Sequence, residues 1–315
     1  MLRSRPLFLA VALLFAASPL LRAQTVAITA RELREHVTYL ASDDLRGRMV
    51  GTEGCRKAAQ YIATQFRQAG LAPFNGQSFY QTFQGRTRQG QPFQSENVIG
   101  ILEGSDPKLK EEAIVIGCHY DHLGVSAQGD VFNGADDDAS GVAVMLELAQ
   151  AFGKGGARPK RTLLFIAFSG EEQMFVGSSH YVRNPARPLS KTVLMVNLEI
   201  LGAGTTRQVN VMILDRVQPP VRAALTESAK AVGLEYIDGK DQFLRRGDQF
   251  MFFNAKVPIL CMHRHGDHPN YHKVTDTADK LDYQWMETFG RMTQLILEKC
   301  ANNPDPIRPP PQPVP

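Results

Sequence analysis

Leu163-Leu164-Phe165-Ile166-Ala167-Phe168-Ser169-Gly170-Glu171-Glu172 holds six apolar residues in succession, a turn signal and then two adjacent carboxylates. So short and uniformly apolar a run fits a strand buried on both faces of a sheet, as parallel strands are. Three more stretches read much the same way: Ala113–Cys118, Thr192–Leu198 and Val257–Met262. Helical spacing fills the intervals. Val142–Phe152 has Ser140 as a candidate N-cap, Pro219 and Pro220 open a helix reaching about Val232, and Tyr283–Lys299 is amphipathic. Upstream, Arg31–Leu40 and Glu53–Gln68 have helix-like spacing, while Phe79–Phe83 and Asn97–Leu102 look like paired strands. The alternation predicts the α/β class, with a mostly parallel mixed central sheet flanked by helices on both faces.

At the amino terminus Arg3 and Arg5 precede an apolar run from Leu7 to Ala17, and Ala23 offers a cleavage point before Gln24. That is the layout of a secretory signal peptide, and the run is too short for a spanning helix. Residues 1–23 are therefore expected to be removed, leaving a secreted or periplasmic chain with no membrane contact. The remainder carries 32 basic and 32 acidic residues, without the basic excess that nucleic acid or an acidic membrane would want. Residues 24–303 can form one large core, since no linker-like break divides them. The tail 304–315 has seven prolines in twelve residues and is expected to be extended or disordered. Cys118 and Cys261 lie in apolar runs and read as buried free thiols. Cys55 and Cys300 fall on predicted helices near the chain ends; an oxidising compartment permits a bridge, but spacing does not assign one. Nothing in the sequence sets the oligomeric state.

The strands carry ligand-type side chains to one end of the sheet. His119, Glu171, Glu172 and Glu199 lie at or just past strand ends, and His272 follows its strand by a loop. Ligands of such sheets bind beyond the carboxyl ends of the strands. Each residue alone has a bland reading. A histidine near a strand end is commonly a hydrogen-bonded structural group, the run Asp136-Asp137-Asp138 suits a helix start, and Glu-Glu is commonly solvated surface. Together His119, Asp136, Glu172, Glu199 and His272 supply five oxygen and nitrogen donors without cysteine, which suits zinc or a similar divalent ion at a hydrolytic site. Three protein ligands plus water complete one catalytic zinc, so five point to two metals sharing a carboxylate. Asp121 is placed to orient the His119 imidazole. Glu171 is placed to act as a base toward the attacking water, and Tyr271 and Asp276 flank His272. His263, His265 and His268 read as loop residues.

His119-Tyr120-Asp121, Gly134-Ala135-Asp136-Asp137, Gly170-Glu171-Glu172, Asn197-Leu198-Glu199 and Tyr271-His272 with Asp276-Thr277 resemble, in that order, the signature of the co-catalytic di-zinc aminopeptidases of bacterial leucyl aminopeptidase type. Glutamate carboxypeptidases and glutaminyl cyclases are relatives of that family. Leu40-Ala41-Ser42-Asp43 and Leu45-Arg46-Gly47-Arg48 also resemble its amino-terminal region, so the likeness covers most of residues 36–285. It implies a zinc-exopeptidase-like fold, two Zn2+ per chain with Co2+ or Mn2+ as substitutes, and peptide substrates. Carried over residue by residue, it puts Glu172 and His272 at one site and His119 and Glu199 at the other, with Asp136 bridging. Asp121 would orient His119, Glu171 would be the general base, and Tyr271 would hydrogen-bond the developing oxyanion. Arg246 and Asp248 resemble part of an Arg-Ser-Asp-His segment that lines the substrate site, from which Gly247 and Gln249 depart. Glu199 departs too, standing where these aminopeptidases usually have the shorter aspartate.

The resemblance implies hydrolysis of the first peptide bond, with Glu171 taking a proton from water and passing it to the leaving amine. Two alternatives share the scaffold. A glutaminyl cyclase would release ammonia from an N-terminal glutamine, and a carboxypeptidase would use Arg245 or Arg246 to meet a terminal carboxylate.

Overall fold

The four apolar runs are neighbouring strands. In a computed structural model of the chain, residues 26–308 except 156, 157, 213 and 242 are described, so the expected leader 1–23 and the last residues of the tail lie outside them. In chain order the elements are α1 (Ala30–Leu40), α2 (Glu53–Gln68), β1 (Ala72–Pro73), β2 (Tyr80–Arg86), β3 (Pro92–Leu102), β4 (Ala113–His119), β5 (Gly124–Val125), β6 (Val131–Phe132) and α3 (Ser140–Lys154). They continue with β7 (Thr162–Phe168), α4 (Val176–Arg183), β8 (Thr192–Leu198), β9 (Gln208–Val211), α5 (Pro219–Val232), β10 (Glu235–Asp238), α6 (Gln249–Asn254), β11 (Ile259–Arg264) and α7 (Tyr283–Asn302).

The main sheet runs β1-β3-β7-β4-β8-β11-β9-β10, with β2 also paired to β3. Its centre, β7-β4-β8-β11, is parallel, and antiparallel pairings of β3 with β7 and of β9 with β11 make it mixed. Period-two alternation explains the unbroken apolar runs. In β4, Ile114, Ile116 and Cys118 join the core on the side of α1, α2, α3, α5 and α7, while Ala113 and Val115 join the core holding Phe252 of α6 and Tyr181 of α4. Covered on both faces, such strands have no polar side to show.

The chain leaves β4 for β7 on one side, then crosses to β8 on the other. The winding therefore reverses at β4. Such a reversal opens a crevice beyond the strand ends, the usual place for a ligand in an open α/β sheet. His119 is the last residue of β4, Glu171 and Glu172 follow β7, and Glu199 follows β8.

Several details differ from expectation. Ser140 is the first residue of α3 and Ala139 its N-cap; the Asp138 carboxylate accepts from the Gly141 amide in the first turn at 3.0 Å. The tail is held further than 304. Ile307 is buried, Arg161 donates to the carbonyl of Asp305 at 3.1 Å, and Arg308 donates to those of Leu189 and Lys256 at 2.6 and 2.9 Å. All four cysteines are buried and free, so Cys55 and Cys300 form no bridge. Burial pushes both of those thiols up to about 12. Among the described residues no helix is long and apolar enough to cross a membrane.

Candidate metal centre

Asp137 occupies the middle of the crevice. Its Oδ1 lies 3.0 Å from His119 Nε2, and its Oδ2 lies 3.1 Å from His272 Nε2 and 3.8 Å from His122 Nδ1. Glu172 Oε1 stands 3.0 Å from His122 Nδ1 and 3.1 Å from His272 Nε2. Donor atoms thus gather in two groups that share Asp137: His119, Asp137 and Glu199 in one, and His122, Asp137 and Glu172 in the other, with His272 beside the second.

These atoms are close but not aligned as hydrogen bonds. Among the described residues His119 Nε2, His122 Nδ1, Asp137 Oδ2 and Glu172 Oε1 are buried without a properly directed partner. Buried polar atoms are rarely left so. Lone pairs aimed at a shared point rather than at each other are what a cation requires, and the nitrogen and carboxylate donors suit zinc. Against a burial penalty that would raise it, the imidazoles of His122 and His272 hold the Glu172 carboxyl down at about 2. Asp137 is likewise held below the ordinary aspartate range, burial being outweighed by His119 and His272. His272, although partly buried, is raised to about 9 by the same two carboxylates.

The shared carboxylate is that of Asp137 and not, as expected, that of Asp136. The three consecutive aspartates point three ways, because Asp137 and Asp138 leave helical geometry in the turn Ala135–Ala139. Asp136 turns away from the crevice: its Oδ1 accepts from the amides of Gly202 and Ala203 at 2.6 and 3.0 Å, and its Oδ2 lies 3.0 Å from His268 Nδ1. Asp138 ties the amides of His119, Gly141 and Ile200. Only Asp137 faces inward. Asp276 fixes this turn by accepting from the amides of Asp136 and Asp137 at 2.9 and 3.2 Å. His268, read as a loop residue, is the partner of Asp136.

Asp121 touches the site differently from expectation. His119 Nδ1 meets the Asp121 backbone carbonyl at 3.1 Å, whereas the carboxylate is 3.9 Å away. That carboxylate accepts the Glu171 amide at 3.1 Å and so aims the Glu171-Glu172 pair. Burial raises Asp121 to about 7. Glu171 faces His119 and Glu199, and burial lifts its carboxyl well above the usual range. Tyr271 stacks on the His272 ring at 3.9 Å, and His272 itself holds a left-handed φ of 56°. Such backbone strain clusters at functional sites. His122, three residues past His119, was not singled out from the sequence; its only signal there is its spacing.

A cavity of about 270 Å³ adjoins the cluster, with Glu199 in one wall, Met212, Phe243 and Cys261 as apolar lining, and Arg246 and Tyr271 at its edge. Asp248, expected to contact substrate with Arg246, is instead buried and does not line the cavity. Gly247 explains how the longer Glu199 fits. A Cβ at 247 would lie 2.6 Å from Glu199 Oε2 and 2.4 Å from Gln249 Oε1. Asn197 Nδ2 donates to both Glu199 and Gln249, at 3.0 and 2.9 Å, so the departures at 199, 247 and 249 form one packed unit. Gly247→Ser is expected to push the Glu199 carboxylate aside and weaken metal at that group by ~10-fold, a figure typical of disturbed ligand support. Zinc titration of Gly247→Ser and of Gly247→Ser with Glu199→Asp checks this, the shorter acid restoring affinity. Unchanged affinity in the single variant would remove the steric link.

Residues 97–297 match Peptidase family M28. A probable zinc metalloprotease of Pyrenophora tritici-repentis is 28% identical over 211 residues, covering 63% of this chain. The chain spans about half (48%) of that relative's length. Among solved structures, an aminopeptidase from Aneurinibacillus sp. strain AM-1 superposes with a TM-score of 0.71 at 17% identity, covering 91% of this chain and 98% of its own. A glutaminyl cyclase from Porphyromonas gingivalis superposes at 0.73 with 20% identity, covering 87% and 99%. At such identities these two speak for the fold alone. The family match takes in both donor groups and more than half the chain, and the chain accordingly belongs to peptidase family M28.

Proposed function

We propose that the protein is an exopeptidase that removes the N-terminal residue of peptides, with two zinc ions held across Asp137. The observation that carries this reading is the position of Glu199, which belongs to the metal-binding cluster and also lines the adjoining cavity. A substrate side chain in that cavity brings its own α-amino group toward the Glu199 carboxylate. At about 270 Å³ the cavity lies below the ~300–1,000 Å³ of drug-sized pockets, room for one side chain and little more. Its lining by Met212, Phe243 and Cys261 favours an apolar first residue.

When bound, zinc polarises the scissile carbonyl and makes water acidic enough to attack near neutral pH. His119, Asp137 and Glu199 would hold one ion, and Asp137, Glu172 and His272 would hold the other. Glu171 takes the proton from water and returns it to the leaving amine. Its carboxylate carries no hydrogen bond among the described residues, so neither oxygen is engaged elsewhere. Tyr271, steadied by its stack on His272, donates its hydroxyl to the developing oxyanion. The leader-like amino terminus supports a site of action outside the cytoplasm, in the periplasm or the medium.

A second reading rests on Arg246, whose exposed guanidinium edges the cavity and could grip a C-terminal carboxylate. Mass spectrometry of products separates the possibilities. Free peptides should lose their first residue, most readily an apolar one, and N-acetylated peptides should resist. Loss of the last residue from acetylated peptides would establish the carboxypeptidase reading instead, and ammonia release from N-terminal glutamine without chain cleavage would establish a cyclase.

A further inference from the structure

His122 carries two buried nitrogens without aligned partners, and the ring is fully enclosed. Nδ1 points into the crevice, 3.0 Å from Glu172 Oε1 and 3.8 Å from Asp137 Oδ2. His272 Nε2 is 3.1 Å from each of the same two oxygens. Four atoms bound at ~2.0–2.1 Å in a tetrahedron stand about 3.3 Å apart. The four distances here, 3.0, 3.1, 3.1 and 3.8 Å, straddle that value.

The ring is also built into place. Gly134, at φ +58°, lies against it so closely that a Cβ would be 2.6 Å from His122 Cγ and Cδ2. Arg48 holds the Gly134 carbonyl at 2.9 Å and accepts the His122 amide through its own carbonyl at 3.3 Å. The edge of His122 meets His272 with centroids 5.8 Å apart and planes at 69°. A histidine so confined, and hydrogen-bonded by neither nitrogen, is costly unless something else engages it.

We propose that His122 is a fourth protein ligand to the metal held by Asp137, Glu172 and His272. The inference rests on the two-zinc reading above. The two sites then differ in kind. Four protein ligands fill a tetrahedral zinc, as in structural sites, whereas His119, Asp137 and Glu199 leave a position open. The first ion is the tightly kept one, and it fixes Asp137; substrate and water meet the second.

Zinc titration of the chelator-stripped protein, read by competition with a chromophoric chelator, tests this. Wild type should bind one ion tightly and one more weakly. His122→Ala should lower the affinity of the tight site by about 100-fold or more, beyond the range for outer contacts, and leave the other within a few-fold. Added imidazole should restore the lost affinity by occupying the vacated space, a rescue that a packing role would not give. His122→Asn, smaller but polar, repeats the comparison should the alanine variant not fold. Two sites of unchanged affinity in the substituted protein would overturn the proposal, as would loss that imidazole cannot repair. Wild type binding a single ion would remove the two-zinc reading on its own account. His122 would then be judged by whether that ion is lost on substitution, which supports the proposal, or retained, which overturns it.

Discussion

Asp137→Asn is expected to weaken both metal ions together, each by more than ~100-fold, because one carboxylate serves both donor groups and its two oxygens face different histidines. Activity should fall with metal content. Asp136→Asn is expected to leave both ions bound within a few-fold. The amide oxygen can still accept from Gly202 and Ala203, but the charge opposite His268 is gone, at a cost of about 1–3 kcal/mol in stability. Elemental analysis and thermal unfolding of the two variants, side by side, distinguish a ligand from a brace one residue away. Metal lost from the Asp136 variant and kept by the Asp137 variant would reverse the assignment.

Glu171→Gln should cost turnover ~10²–10⁴-fold, the usual worth of a positioned proton acceptor, while both ions remain. The shape of the side chain survives and its amide still donates to Asp121. Glu172→Gln should act otherwise, loosening the ion shared with Asp137 and His272. Single-turnover rates with parallel metal analysis decide between the neighbours; equal metal loss in both would show their roles misassigned.

Much of this centre could be read from the chain alone, and what could not has physical reasons. The buried strands β4, β7 and β8 appeared as apolar runs because both faces are covered, and their ends fixed where His119, Glu172 and Glu199 would meet. Asp136 and Asp137 could not be separated. Periodicity says which way a side chain points only inside a regular helix or strand, and Ala135–Ala139 is neither. Elements α4, α6, β9 and β10 went unread because they are short, four to eight residues, and owe their form to tertiary packing more than to local pattern. His122 sits in a segment after β4 whose course depends on Arg48 and Gly134, residues distant in sequence. Gly247 looked like a departure from the family pattern until its space was found filled by Glu199.

Asp276 reaches back 140 residues to hold the Asp136 amide, and it emerges only four residues after His272. Contacts of such separation form late, since the intervening chain must first be closed into a loop. A growing chain can therefore make the β4-β7-β8 platform and present His119, Asp137 and Glu172 while still lacking the loop that completes their arrangement. On the proposed reading, the assembled metal centre is thereby deferred until Asp276 has emerged. A chain halted between residues 200 and 271 would carry His119, Asp137, Glu172 and Glu199 without the Asp276 that organises them.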